Sequence, residues 1–205
     1  MPFVTGKKTE AVVLPQASDL EHHYAEITEL AWRTLRRLGV DKEHVPDAVQ
    51  DTLLVVHRRQ ADYRGESSLT SWVYGIVLRV ASGYRRKERR AGAVFGRVQS
   101  ESLEEAASPE PTPLDRLEQS AATRLLHSLL DTLAQDVREV FVLVELEELQ
   151  VAEAARVLGI SSSTCKGRLR LGREQFNAAV ARHRARVAHA EARTLLLAED
   201  TGGRR

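Results

Sequence analysis

Apolar residues return at helical spacing in two blocks of this chain, residues 18–90 and 114–182. Between them, over residues 91–113, the spacing is lost and Gly92, Gly96, Pro109, Pro111 and Pro113 break any helix. An apolar stripe must be buried against another element, so two such blocks predict an all-α fold of two small helical domains joined by a flexible acidic linker. Strand-like alternation is weak throughout, and the 5% aromatic content disfavours a sheet-rich fold. The expected boundaries are an N-terminal extension over 1–17, domains over 18–90 and 114–182, the linker over 91–113, and a C-terminal extension over 183–205, helical and then disordered. At 205 residues, two such domains are each only marginally stable on their own.

The helices place as follows. Ser18-Asp19-Leu20-Glu21 has capping-box spacing and opens a helix whose inner face is Leu20, Tyr24, Ile27, Ala31, Leu35 and Leu38, ended by Gly39. Pro46 suits a first helical turn, followed by the stripe Val49, Leu53, Val56. Ser67 or Ser68 caps a third helix with Leu69, Trp72, Val73, Ile76, Val80 and Tyr84 inside, with Tyr74 off that stripe. In the second block, Leu117, Ala121, Leu125, Leu129 and Leu133 share a face, and further helices cover 137–146 and 151–158. A last helix starts after Ser161 or Ser162, and Phe176, Val180, Val187, Ala190 and Leu197 extend its broken stripe, as one long helix or with a restart.

The formal net charge of +1 conceals strong segregation. Residues 58–98 carry ten basic and three acidic side chains, a local +7; residues 99–119 are −5, residues 131–149 are −5, and residues 150–186 return to +6. Two basic blocks across an acidic linker fit two modules on one polyanion, held by counterion release; the alternative is two solvated arginine-rich faces. The lone Cys165 excludes an internal disulfide and fits a reducing cytoplasm. No apolar run reaches the length of a membrane span, and the first ten residues are too polar for a signal peptide. The seven histidines form no metal-ligand spacing, Gly6-Lys7-Lys8-Thr9 lacks the upstream glycine of a phosphate loop, and no nucleophile or carboxylate constellation stands out. The expectation is therefore no enzyme, no metal and no cofactor.

Three segments carry function. Residues 151–170 have the helix-turn-helix pattern: small Ala154 and Ala155 allow close helix approach, Gly159 permits the turn and Ile160 plugs the corner. On the second helix Ser162, Ser163, Lys166, Arg170 and Arg173 can face one groove, where Arg or Lys pairs with guanine and hydroxyls fix backbone register. Residues 62–76 join a polar loop to a helix bearing Trp72 and Tyr74 and then an arginine cluster. That arrangement suits an unstacked base gripped by cations, or a core pair of aromatics. Asp47, Gln50, Asp51 and Leu54 form a mixed face, readable also as an acidic helix start favoured by the macrodipole.

These segments, in this order, resemble bacterial extracytoplasmic-function (ECF) RNA polymerase sigma factors, which keep only region 2 and region 4. Asp-Ala-Val-Gln-Asp at 47–51 is similar to the family's Asp-Leu-Val-Gln-Glu. Tyr-Arg-Gly-Glu-Ser-Ser-Leu-x-Ser-Trp-Val-Tyr at 63–74 is similar to Phe-Arg-Gly-Glu-Ser-Ser-Phe-x-Thr-Trp-Leu-Tyr, and Ser-Thr-Cys-Lys-Gly-Arg-Leu at 163–169 to Gly-Thr-Val-Lys-Ser-Arg-Leu.

The resemblance implies a dissociable polymerase subunit that directs initiation and helps melt promoters. It assigns Asp47, Gln50, Asp51 and Leu54 to the β′ clamp helices of core polymerase. Arg64, Gly65, Glu66, Ser67, Ser68, Ser71, Tyr74, Arg79, Arg85 and Arg86 fall to the −10 element. Ser162, Ser163, Thr164, Lys166, Arg168, Arg170 and Arg173 fall to the −35 element. It also implies contact with the β subunit, an anti-sigma factor, and a linker threading the RNA-exit path. The chain departs from the family at Arg79, where Asn is usual, at Gly167 for Ser and at Cys165 for Val. Residues beyond 181, with Leu195-Leu196-Leu197, exceed a minimal member and either pack on region 4 or meet another protein. The competing readings are a stand-alone helix-turn-helix regulator, which leaves 46–90 without a role, and remotely a DNA-processing enzyme such as a resolvase.

Overall fold

The computed structural model describes the backbone of residues 23–95 and 121–202, with side chains over 23–90 and 121–190. The capping box at 18–21, the linker over 96–113, Leu114, Leu117 and the Leu195-Leu196-Leu197 side chains lie outside the described residues. The described residues are helical, with no strand among them.

Helix α1 (Tyr24–Arg37) buries Ile27, Leu30, Ala31, Thr34 and Leu35, the i, i+3, i+4, i+7, i+8 set that one face of an α-helix presents. It stops at Gly39, whose φ of +86° only glycine adopts without strain. A Cβ there would also meet Arg138 Nη1 at 2.8 Å, so the glycine serves a close approach as well as a turn. Helix α2 (Val45–Arg59) has Pro46 in its first turn and buries Val45, Ala48, Val49, Thr52 and Val56. Helix α3 (Leu69–Phe95) is capped by Ser68, whose Oγ accepts from Ser71 N at 3.2 Å. It runs past residue 90, the expected end of the domain, because the Arg-Arg-Lys-Glu-Arg-Arg run favours helix and one glycine is tolerated. Helices α1, α2 and α3 pack pairwise into a three-helix unit.

Beyond the linker come α4 (Ala121–Leu130), α5 (Gln135–Phe141), α6 (Val151–Leu158) and α7 (Ser162–Gly202). Leu129 and Leu133 are buried as expected, whereas Ala121 is exposed. The helix expected over 137–146 is α-helical only to Phe141 and then winds as a π-helix over Val142–Leu146. Val140, Phe141, Val142 and Leu143 are all buried, which an amphipathic surface helix does not allow; this segment is enclosed by α7 on one side and the first unit on the other. Gly159 turns α6 into α7 with φ +66°. Helix α7 continues unbroken for 41 residues, about 60 Å at 1.5 Å per residue, with no restart. Its packed stripe ends near Ala179, since Val187 is 42% exposed.

The halves are not separate globules. Their buried residues form one continuous cluster, running from Ile27, Leu35 and Ile76 through Leu130, Val140 and Leu143 to Cys165 and Leu169. Arginines tie the seam to the carboxyl end of α1. Arg138 Nε donates to Arg37 O at 2.6 Å, and Arg85 Nη1 donates to Leu38 O at 2.9 Å. A cation at a helix C-terminus satisfies orphan carbonyls and the macrodipole together. Arg85 also bonds Glu139 at 2.7 Å across the seam, and Arg138 bonds Asp131 at 2.7 Å.

Candidate nucleic-acid interface

The recognition helix is set by its packing against α6. Ala154, Ala155, Cys165 and Leu169 are buried between the two helices, and Ile160 packs half-buried at the corner. Burial pushes the Cys165 thiol up, which suits a packing residue and not a nucleophile. Ser161 Oγ accepts from Thr164 N at 3.1 Å and lies 2.8 Å from the hydroxyls of Ser163 and Thr164, closing the first turn. Ser162, Ser163, Thr164, Lys166, Arg170 and Arg173 are exposed together on the outer face.

The cations on that face are not equivalent. The Arg170 side chain is 80% exposed and only loosely paired with Glu174 at 3.4 Å. Arg168 turns back to Asp136 at 3.1 Å, and Arg173 to Glu145 at 2.6 Å. Exposed pairs of this kind are worth about 0–1 kcal/mol, so phosphate can displace the carboxylates. The open polar edge of this face is thus Ser162, Ser163, Lys166 and Arg170, with Arg168 and Arg173 paired to carboxylates.

On the first unit, Asp62, Tyr63, Arg64, Glu66, Ser67 and Trp72 line an open hollow of about 480 Å³. Gly65 supplies the left-handed turn at φ +72°, Tyr63 Oη donates to Ser67 O at 2.6 Å, and the Tyr63 and Trp72 rings lie 5.6 Å apart. The hollow is aromatic-walled and of mixed charge, with Arg59 and Arg64 facing Asp62 and Glu66; an aromatic wall beside arginines is a geometry that can hold an unstacked base. The expected roles of the two aromatics are exchanged. Trp72 is half-buried and walls the hollow, whereas Tyr74 is only 2% exposed. Tyr74 Oη donates to Glu147 at 2.8 Å, and desolvation followed by the nearby Glu147 charge pushes its phenol well above the usual range. Tyr74, expected to face DNA, is a seam residue in this structure, and so is buried Arg85, which serves α1 and Glu139. Ser71 is buried and bonded to Ser68 and Glu153. Arg64, Gly65, Glu66, Ser68, Arg79 and Arg86 are exposed.

Asp47, Gln50, Asp51 and Leu54 lie exposed along α2, as their spacing predicts, and Leu54 is 44% exposed. Asp51, Leu54, Arg79, Tyr84 and Lys87 share a shallow groove between α2 and α3. There Tyr84 Oη donates to Asp51 at 2.8 Å, and desolvation together with Asp51 pushes its phenol up to about 12. The exposed leucine thus lies beside Asp51 on α2, with Arg58, Arg79 and Lys87 around the same groove.

Sequence patterns did not flag the seam residues Glu139, Glu147, Glu153 and Arg138. Their partners across the seam lie 54 to 114 positions away, beyond the reach of any helical period. His127 belongs to the same seam, lining a cavity of about 380 Å³ with Arg36, Asp41, Lys42, Glu88, Asp131 and Arg138. Burial, then Arg36 and Arg138, hold its imidazole down to about 4 against the opposing pull of Asp131. The unfolded chain takes a proton near pH 6.5 that the folded chain refuses. The stability that His127 contributes is complete above pH 6.5 and is lost as pH falls toward 4. His127→Gln is expected to flatten that part of the profile in urea titrations at fixed ionic strength, and an unchanged slope would exclude His127 as its source.

Among the described residues no helix is long and apolar enough to cross a membrane, and no group of three or more His, Cys, Asp or Glu is placed to hold a metal ion. A helical chain with an open, aromatic-walled hollow on one unit and a helix-turn-helix on the other has the build of a two-module DNA-reading protein. Residues 23–91 match the family model for sigma-70 region 2, and residues 123–176 that for sigma-70 region 4. The chain is 31% identical over 150 residues to the RNA polymerase sigma factor CnrH of Cupriavidus metallidurans, spanning 70% of this chain and 76% of that one. It is 23% identical over 179 residues to the ECF sigma factor SigE of Mycolicibacterium smegmatis, spanning 87% and 67%. Its fold is similar to that of the sigma factor RpoE solved in complex with the anti-sigma factor NepR from Bartonella quintana (TM-score 0.62, 19% identity, 80% of this chain and 98% of that one). It is also similar to CnrH in complex with the cytosolic domain of CnrY (TM-score 0.55, 24% identity, 80% and 87%). The chain belongs to the sigma-70 family of RNA polymerase sigma factors, among the ECF members, and is a transcription initiation factor.

Proposed function

We infer that this chain binds core RNA polymerase and carries it to promoters with separate −10 and −35 elements. The single observation that supports this reading is the presence of region 2 and region 4 on one chain, each with an exposed polar face of the right chemistry. The exposed edge of α2, Asp47, Gln50, Asp51 and Leu54, takes the clamp helices of β′. The hollow beside Trp72, with Arg64, Glu66 and Ser67 on its polar wall and Gly65, Ser68, Arg79 and Arg86 beyond it, takes an unstacked −10 base and its backbone. Ser162, Ser163, Lys166 and Arg170 read the −35 major groove, with Thr164, Arg168 and Arg173 on phosphate. The functional units are residues 18–90 and 114–182, and the chain acts in the cytoplasm without catalysis of its own. One solved neighbour was captured with an anti-sigma factor, which makes such a protein the natural inhibitor to seek here as well.

Core enzyme supplemented with this protein is expected to initiate at promoters that core alone ignores. Failure to bind core in a pull-down, combined with tight operator binding by the isolated chain, would overturn the reading in favour of a stand-alone repressor.

A further inference from the structure

The seam is organised around one carboxylate. Glu147 follows the π-helical turn and places its side chain, 0% exposed, into a cleft between α1 and α3. Its Oε1 accepts from Arg37 Nη1 at 2.8 Å and from Thr34 Oγ1 at 3.1 Å. Its Oε2 accepts from Arg33 Nη2 at 2.9 Å and from Tyr74 Oη at 2.8 Å. Each oxygen thus has one charged and one neutral donor, and all four donors come from the other half of the chain. A carboxylate is tolerated without water only when its lone pairs are filled in this way. The cleft is a formed carboxylate-binding site.

A second contact shows what filling that site does. Glu153, on the first helix of the helix-turn-helix, accepts at Oε1 from Ser68 Oγ at 3.0 Å and from Ser71 Oγ. Ser67 and Trp72, which flank these serines in sequence, line the hollow assigned above to the −10 base. With the halves closed, hydroxyls at the −10 edge are therefore bonded to the −35-reading module. The two elements, 25 base pairs apart by their names, are separated by about 85 Å of B-form duplex at 3.4 Å per step. Modules in hydrogen-bond contact cannot span that distance.

We propose that the α1–α3 cleft of Arg33, Thr34, Arg37 and Tyr74 is a carboxylate site occupied by the chain's own Glu147, and that its occupancy latches the free protein in a closed state that must open before both promoter elements are engaged. Glu147 is the latch, and Glu153 masks the −10 edge while the latch holds. The consequence for transcription rests on the sigma-factor reading above; the closure itself does not.

The test uses the full chain as wild type, Glu147→Gln, Arg33→Gln with Arg37→Gln, and all three changes together. Small-angle X-ray scattering gives the size of the free protein, circular dichroism its helicity, and run-off transcription at limiting core its activity. A latch predicts that Glu147→Gln and the double arginine variant each enlarge the radius of gyration at unchanged helicity. Each is expected to raise the open-to-closed ratio roughly 5-fold or more, within the usual span of coupling between sites. The triple variant is expected to expand no further than either parent, because all three changes break one contact. Wild-type dimensions in a helical Glu147→Gln protein overturn the latch; if Glu147→Gln loses helix, the double arginine variant decides by the same criterion. Expansion without added transcription overturns closure as a control on initiation. Absence of transcription from every protein, wild type included, overturns the sigma-factor reading and leaves the scattering result to decide the latch.

Discussion

Leu143→Ala is expected to cost about 2–5 kcal/mol, the range for deleting a fully buried leucine from a core that only partly collapses around the cavity. The readout makes the experiment specific to this fold. Both tryptophans, Trp32 and Trp72, lie in the first half, whereas Leu143 lies in the second. Because the core is continuous across the seam, the cavity should lower the urea midpoint seen by tryptophan fluorescence as much as that seen by circular dichroism. A fluorescence midpoint that stays put while the helical signal shifts would show that the halves unfold independently. The same cavity engineered into an open chain should lose this coupling, which links the experiment to the seam.

The second large effect concerns DNA. Lys166→Ala and Arg170→Ala are each expected to weaken −35 duplex binding by about 1–3 kcal/mol, the worth of a good bidentate base contact. Both residues are exposed on α7 and outside the core, so helicity, melting temperature and affinity for core polymerase should be unchanged. Fluorescence anisotropy with matched and mismatched duplexes separates the roles. A residue reading a base relaxes specificity at one position; a residue on phosphate weakens all sequences alike and lowers the salt slope by about one. Equal loss of core affinity would mean that the substitution disturbed folding instead.

Much of this protein is legible from local pattern. The faces of α1, α2 and α3, the Gly39 and Gly159 turns and the small Ala154–Ala155 contact follow from periodicity and backbone sterics, which act over a few residues. The exposed edge of the recognition helix is equally local, since Ser162, Ser163, Lys166 and Arg170 fall opposite Cys165 and Leu169 by helical geometry alone. The segregation of charge into basic and acidic blocks was readable too, but its meaning was not. Part of the acidic block over 131–149 does not face solvent: Glu147 is buried on Arg33 and Arg37, and Glu139 meets Arg85.

Local order, helix content and the chemistry offered to polymerase and promoter were decided by the chain itself, because periodic burial and turn sterics are short-range. Which of those groups are free to act was decided only by tertiary structure. Tyr74 and Arg85 sit in a segment that reads as DNA-facing, yet a second half arriving through Glu147 and Glu139 takes both inside. Nothing within a few residues of either signals that outcome, because hydrogen bonds spanning 73 and 54 positions depend on how two helical surfaces meet and leave no period in the sequence.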